Sequence, residues 1–226
     1  MMNSPDLTNP PAQYRPIPFW SWNDKLDPEE LRRQIREMKK AGLGGFFMHA
    51  RGGLQTAYLS DEWMECVNAC LDEAGKCGID GWLYDENGWP SGFGGGLVNG
   101  LGVKYQQKYL RHEYLDAADL EASERENTIA WYDAATLELL GEKLPKGTAG
   151  RLLRCYYEVN PFYVDNLDPK VVREFLKVTH KHYYDNIPKP LAPVTARMFS
   201  SSGRKSWPRA RNSWGTSAAS CRVCPS

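Results

Sequence analysis

The 226-residue chain has no excess charge of either sign, its 28 Lys and Arg residues balancing 28 Asp and Glu. Without net charge there is no long-range pull toward nucleic acid or an anionic membrane surface, so neither is expected as a partner. No apolar run approaches the roughly 18 residues of a membrane span. The opening MMNSPDLTNPPAQYRP has neither a basic start nor a hydrophobic segment. It is not built as a secretory signal, and the cytoplasm is the expected location. Paired cysteine motifs are almost missing. Of six cysteines, Cys66, Cys70 and Cys77 fall in or just after one predicted helix and Cys155 in a predicted strand, none spaced as CxxC. These are expected to be reduced and mostly buried. Cys221 and Cys224 do form C-R-V-C, but the pair has no partner ligands to complete a zinc site.

Residues 188–226 lack something else: they contain no Asp or Glu. Seven of the 28 basic residues lie there and all 28 acidic ones before it, so the body carries −7 and the tail +7. The tail shows neither helical nor strand periodicity, and its arginines are scattered among Ser, Pro and Trp instead of forming a stripe. A disordered or out-of-frame tail is the favoured reading, and a basic arm for nucleic acid the alternative. Residues 1–14 are expected to be a flexible N-terminus.

What is present is an alternation of strands and helices. IPFWSWN, residues 17–23, is a short apolar and aromatic run. Asp27 then offers a cap, Pro28 the first helical position and Glu30 a capping box, before Leu31, Ile35 and Met38 recur at helical spacing up to Gly42. GFFMHAR, 45–51, reads as a second strand. Ser60 opens a second helix, whose Trp63, Val67, Cys70, Leu71 and Ala74 share a face, and Gly78 ends it. DGWLYDEN, 80–87, is the third strand. This βαβαβ pattern predicts a parallel sheet with right-handed crossovers. Residues 15–103 therefore form three β/α units. Residues 104–159 look like antiparallel strands, a β-rich insertion, with a turn near Ala134 and Ala135. FYVDNLDPKVVREFLKVTHKHYYDNI, within 160–187, repeats the Asp-Pro helix start at Asp168 and Pro169 as a fourth β/α unit. The predicted class is α/β: a partial TIM (β/α)8 barrel with its C-terminal half missing, since a whole barrel takes about 250 residues.

In such folds chemistry gathers where strands end and βα loops begin. Trp20, Trp22 and Asn23 end strand one; His49 and Arg51 end strand two; Tyr84, Asp85, Glu86 and Trp89 end or follow strand three. These groups are expected to converge on one rim. By period-two alternation Phe47, His49 and Arg51 share one side of strand two, and Trp82, Tyr84 and Glu86 one side of strand three. Glu86 would then face a substrate, with Asp85 organising the loop. Aromatic faces with carboxylate, imidazole, guanidinium and amide donors and acceptors suit a hydroxyl-rich ring such as a sugar. Glycoside hydrolysis needs two carboxylates, and adjacent strand residues point to opposite faces. The second must come from elsewhere, Asp165 being one option.

Each feature also has a structural reading. Asp-Glu before Asn-Gly is ordinary turn composition. His49 alone could be a satisfied core histidine, Arg51 a surface residue, His180 and His182 helix packing, and Trp63 core. The glycine tract GFGGGLVNGLG is not a nucleotide loop: counted from Gly92, Leu97 stands where G-x-G-x-x-G needs glycine, and no Gly-Lys-Ser/Thr follows. A mobile loop allowing close backbone approach to a ligand is the expectation.

The block PFWSWNDKLDPEELRRQIREMKKAGLGGFFMHARGGLQTAYLSDEWMECV, followed by WLYDENGWPSGFGGGLV, resembles the N-terminal half of the barrel in bacterial proteins related to glycoside hydrolase family 106, the α-L-rhamnosidase family. The likeness runs from Arg15 to Val103, and YVDNLDPKVVREFLKVTHKHYY is similar to the next βα unit. It implies a (β/α)8 catalytic domain that inverts through two glutamates, with a calcium ion near the substrate. The family's next strand, resembling GIFTDEP, does not follow Ile187 here. The implied function is glycoside hydrolysis of α-L-rhamnosidase type by a truncated fragment, with a carbohydrate as partner and self-association through an exposed sheet edge. A carbohydrate-binding protein without catalysis is the alternative, beside nucleic-acid association through the tail.

Overall fold

The computed structural model describes residues 8–88, 92–120, 125–189 and 191, and the backbone of 196–199. Two compact units emerge, residues 1–87 with 183–226, and residues 88–182.

The first unit is a four-stranded parallel sheet ordered β1-β2-β3-β8. Its strands are β1 (Phe19–Trp22), β2 (Gly45–Ala50), β3 (Asp80–Asn87) and β8 (Ala196–Phe199). Helices α1 (Pro28–Lys40) and α2 (Asp61–Cys77) make the crossovers. Their starts are local chemistry. The Asp27 carboxylate accepts from Glu30 N–H at 2.8 Å with Pro28 at the first helical position, and Ser60 Oγ accepts from Trp63 N–H at 3.2 Å. The capping box at Asp27 is half made, because Arg33 and Gln34 engage the Glu30 carboxylate instead. These contacts hold Glu30 well below the usual carboxylate range, at about 2.

Leu31 and Ile35 of α1 and Trp63, Val67, Cys70 and Leu71 of α2 bury against Trp22, Phe46, Met48 and Leu83 of the sheet. Arg32 and Arg36 tie the two helices to Asp72 and Glu73 at 2.6 and 2.9 Å. Glu73 is 6% exposed and is shared between Arg36 at 2.9 Å and Arg32 at 3.4 Å, so removing both arginines would leave a nearly dry charge with only Lys76 at 4.0 Å.

The second unit is an antiparallel sheet ordered β4-β7-β5-β6, from β4 (Gln106–Asp116), β5 (Thr128–Asp133), β6 (Leu139–Gly141) and β7 (Arg151–Val164). Helix α3 (Pro169–Leu176) is capped by Asp168, whose carboxylate accepts from Lys170 N–H at 2.7 Å. A π turn (Lys177–Lys181) leads into α4 (His182–Asn186), which crosses into the first unit's residues. Val98, Val164 and Val171 form a small core here. The glycine tract packs into this unit with two short 3-10 turns, Gly94–Gly96 and Asn99–Leu101, not as an open loop: a Cβ on Gly94 would come 2.8 Å from the Phe175 ring.

The structure departs from the sequence expectation in three respects. Residues 160–164 do not supply a fourth parallel strand: they finish β7, paired with β4 from Asp116↔Arg151 to Gln106↔Val164. A strand pattern before a helix does not name its partner, and the long β4 offers one throughout. The fourth parallel strand is β8, inside the segment expected to be without structure, with Gly81↔Ala196 to Tyr84↔Phe199 in register. Four residues are too few for periodicity to reveal. Among the described residues the sheet is not closed into a barrel, so the mixed α/β class holds without the closure. Residues 1–7 and most of 188–226, with Cys221 and Cys224, lie outside the described residues. No helix among the described residues is long and apolar enough to cross a membrane.

Close packing makes a paired glycine prediction. A Cβ on Gly45 would sit 2.4 Å from the Asp80 carbonyl oxygen of the neighbouring strand, whereas one on Gly75, in the exposed last turn of α2, meets nothing within 4 Å. Gly45→Ala will destabilise by about 1–3 kcal/mol, because backbone must move. Gly75→Ala will stabilise by about 0.5–1 kcal/mol. Urea unfolding of both variants measures the difference.

Candidate functional site

The two faces of the parallel sheet carry different chemistry. In register, Phe19 lies beside Phe47 and Ser21 beside His49, while Trp20 lies beside Met48 and Trp22 beside Ala50. Phe19, Phe47, His49, Trp82 and Tyr84 therefore form one aromatic layer. Phe19 and Phe47 stack at 4.9 Å, Phe47 meets Trp82 at 5.1 Å, and His49 meets Tyr84 edge-on at 4.3 Å. Trp20 and Trp22 belong to the other face. Trp22 packs on Trp63 at 4.9 Å, and the Trp20 indole N–H donates to Gln34 Oε1 of α1 at 3.1 Å. The expectation that these two indoles join the rim is corrected by this placement: period-two alternation turns them toward the helices.

At the C-terminal end of β3 the register breaks. Met48 pairs with Leu83, but the next pair is Ala50 with Asn87, so Tyr84, Asp85 and Glu86 together oppose His49. A bulge of this kind re-aims side chains and recurs beside functional sites. Around it His49, Tyr84, Asp85 and Glu86 are all buried, the two carboxylates with no exposed surface.

Behind the bulge sits a polar core that the sequence reading missed. The Trp63 indole N–H donates to Tyr183 Oη at 3.2 Å, and Tyr183 Oη donates to the Tyr84 carbonyl oxygen at 3.3 Å. Tyr58 packs on Trp63 at 5.1 Å. Burial drives the Tyr58 phenol well above its ordinary value, with Tyr183, Glu86 and Asp85 adding to the rise. Burial likewise raises Tyr183, with Asp85 contributing. Both acids therefore bear on one buried phenol. Tyr183 was visible in the sequence only as part of an apolar helix face, and Tyr58 only as the residue two before a helix cap.

The remaining candidates separate. Asn23 and Arg51 stand exposed at the ends of β1 and β2. Asp165 belongs to the other unit, where it pairs with Lys108 at 3.2 Å and accepts from Leu167 N–H at 3.2 Å, organising the turn before α3. Trp89 lies outside the described residues. The site therefore collects His49, Tyr84, Asp85 and Glu86, with Tyr58 and Tyr183 behind. Among the described residues no three His, Cys, Asp or Glu side chains converge as a group that could hold a metal ion.

No protein-family model and no curated protein matches the chain. Among solved structures it is similar to a rhamnosidase from Novosphingobium sp. PP1Y, with 23% sequence identity and a TM-score of 0.39 over 48% of this chain. The match spans 11% of that protein's length.

The buried phenols set an alkaline limit. Their folded values lie above the ordinary 10.0, so the neutral forms keep their full stabilisation below pH 10 and lose it as pH rises further. The Cys66 thiol, pushed by burial to about 11 from 9.0, begins the decline earlier. Unfolding free energy is expected to be flat to pH 9 and then fall. Tyr58→Phe will flatten the limb above pH 10 by up to about 1.4 kcal/mol per pH unit. Denaturant titrations at pH 8, 10 and 11 test this; an unchanged slope in the variant would place the Tyr58 hydroxyl in water.

Proposed function

We propose that the chain carries a carbohydrate-processing site of α-L-rhamnosidase type, at the strand ends of a partial (β/α)8 barrel. Glu86 is the carboxylate that exchanges a proton with the glycosidic oxygen, and Asp85 holds the bulge. His49, Tyr84 and the exposed Asn23 and Arg51 orient the sugar, and Trp89, three residues after Glu86 in the sequence, is the further candidate for contact with it. The observation that carries the reading is the bulge itself, which withdraws two carboxylates from water next to an aromatic layer. Such a carboxyl can transfer a proton to a bound ring without competition from solvent. The likeness of residues 15–103 to glycoside hydrolase family 106 supports the choice of sugar.

A second reading, carbohydrate binding without hydrolysis, is favoured by one observation. The two acids are adjacent in sequence, whereas carboxylates flanking a scissile bond stand about 5–10 Å apart on opposite sides of the sugar.

The two readings separate in one set of measurements. Wild type, Glu86→Gln and Asp85→Asn are assayed for release of aryl α-L-rhamnoside and for L-rhamnose affinity by calorimetry. Glu86→Gln is expected to lower turnover at least about 100-fold. Its affinity should stay within about threefold, since an amide fills the same space. A wild type that binds without cleaving supports the binding reading, and one that does neither overturns both.

A further inference from the structure

In the antiparallel unit β5 stops short of β7. Thr128 pairs with Tyr156, and beyond it the Tyr157 N–H donates to the Asn127 carbonyl oxygen at 3.1 Å. β7 runs on to Val164 with β4 along its other edge. The step left at the end of β5 is a shallow groove of about 470 Å³, walled by Glu126, Asn127, Arg154, Tyr156, Glu158 and Val159. That volume falls among small-molecule sites.

The groove is built on one buried cation. Arg154 is 5% exposed and donates to Thr128 Oγ1 at 2.8 Å, Glu113 Oε1 at 2.7 Å and the Glu126 carbonyl oxygen at 2.6 Å. Its Cζ lies 4.3 Å from the centroid of the Tyr156 ring. A guanidinium pinned at three points is a rigid support, so the ring above it is held as a fixed platform. Asn127 takes a left-handed φ of 63°, a conformation asparagine tolerates better than most residues with a side chain, and it turns the chain beside the groove. The groove's acids are on the surface: Glu158 pairs with Arg111 at 2.9 Å, and exposed Glu126 has no ion-pair partner among the described residues.

We propose that this groove is a binding subsite for a neutral, hydroxyl-rich sugar ring, with Tyr156 as its stacking face and Glu126, Asn127 and Glu158 as hydrogen-bonding partners of its hydroxyls. An aromatic face takes the C–H side of a pyranose, and carboxylates accept from adjacent hydroxyls. Arg154 is held by Glu113 and Glu158 by Arg111, so it is Glu126, without an ion-pair partner among the described residues, that disfavours a uronate or a phosphorylated sugar and selects the neutral class. The subsite shares no residue with the Asp85 and Glu86 site and rests on the carbohydrate reading only for the choice of probe.

Saturation-transfer NMR and calorimetry on the full chain test the subsite, using methyl α-L-rhamnopyranoside and D-glucuronate as the acidic control. Tyr156→Ala is expected to weaken rhamnoside binding at least tenfold and Glu126→Gln about three- to tenfold. Tyr156→Phe should stay within about threefold, because it keeps the ring. Glucuronate should bind at least tenfold more weakly than the neutral probe. Should Tyr156→Ala lose its fold, Glu126→Gln, at an exposed position, still decides. Rhamnoside binding indifferent to both Tyr156→Ala and Glu126→Gln overturns the subsite, as does glucuronate binding equal to the neutral sugar. Binding sensitive to Tyr156 in a chain without turnover supports the subsite and removes the hydrolase; turnover lost in Glu86→Gln with binding indifferent to Tyr156 does the reverse.

Discussion

The register break between β2 and β3 is the constraint on which the site depends. Three residues must be accommodated opposite His49, and the chain does so at the point where a parallel strand would otherwise run out into its loop. Regular pairing would send Asp85 and Glu86 to opposite faces of the sheet. Here both stand at the register break and both are out of water. Burying a carboxylate is unfavourable unless polar partners surround it, so such a feature persists only where the surroundings hold it in place.

Those surroundings come from α2, α4 and the loop before α2. Trp63 and Tyr183 form a short chain of hydrogen bonds ending on the carbonyl of Tyr84, the first residue of the bulge. The backbone at the start of the bulge thus receives a donor from the helical layer. One buried phenol is both acceptor and donor, which is why a tyrosine and not a phenylalanine suits that position on α4. The neighbouring Tyr58 shares the same dry space, where both acids oppose its ionisation. Packing and site are therefore one construction: the helices that bury the core also fix the strand end on which the acids stand.

Much of this was legible in the sequence. The helix starts at Asp27-Pro28, Ser60 and Asp168-Pro169 are set by side chains within three residues of their partners, so reading them needs no tertiary information. Asp85 and Glu86 were legible as the end of an apolar strand. The wrong placement of Trp20 and Trp22 had a remedy in the sequence: carrying the alternation of strands two and three back to strand one puts Phe19 and Ser21, not the indoles, beside Phe47 and His49. Other features had no local signal. Pro161–Val164 reads as a strand in any context, and only the length of β4 decides that it pairs antiparallel. Tyr183 and Tyr58 meet across more than a hundred residues of chain, a separation at which periodicity carries no information.

The adjacency of the two acids also limits what each can do. Side chains on consecutive residues have backbones only about 3.8 Å apart, and so cannot be independently placed on the two sides of a sugar ring. One of them must serve the protein. Both acids bear on Tyr58, but only Asp85 also raises the Tyr183 phenol that donates to the bulge carbonyl. For the proposed site, the division of labour follows from backbone geometry, and it is the same under the hydrolytic and the binding proposal.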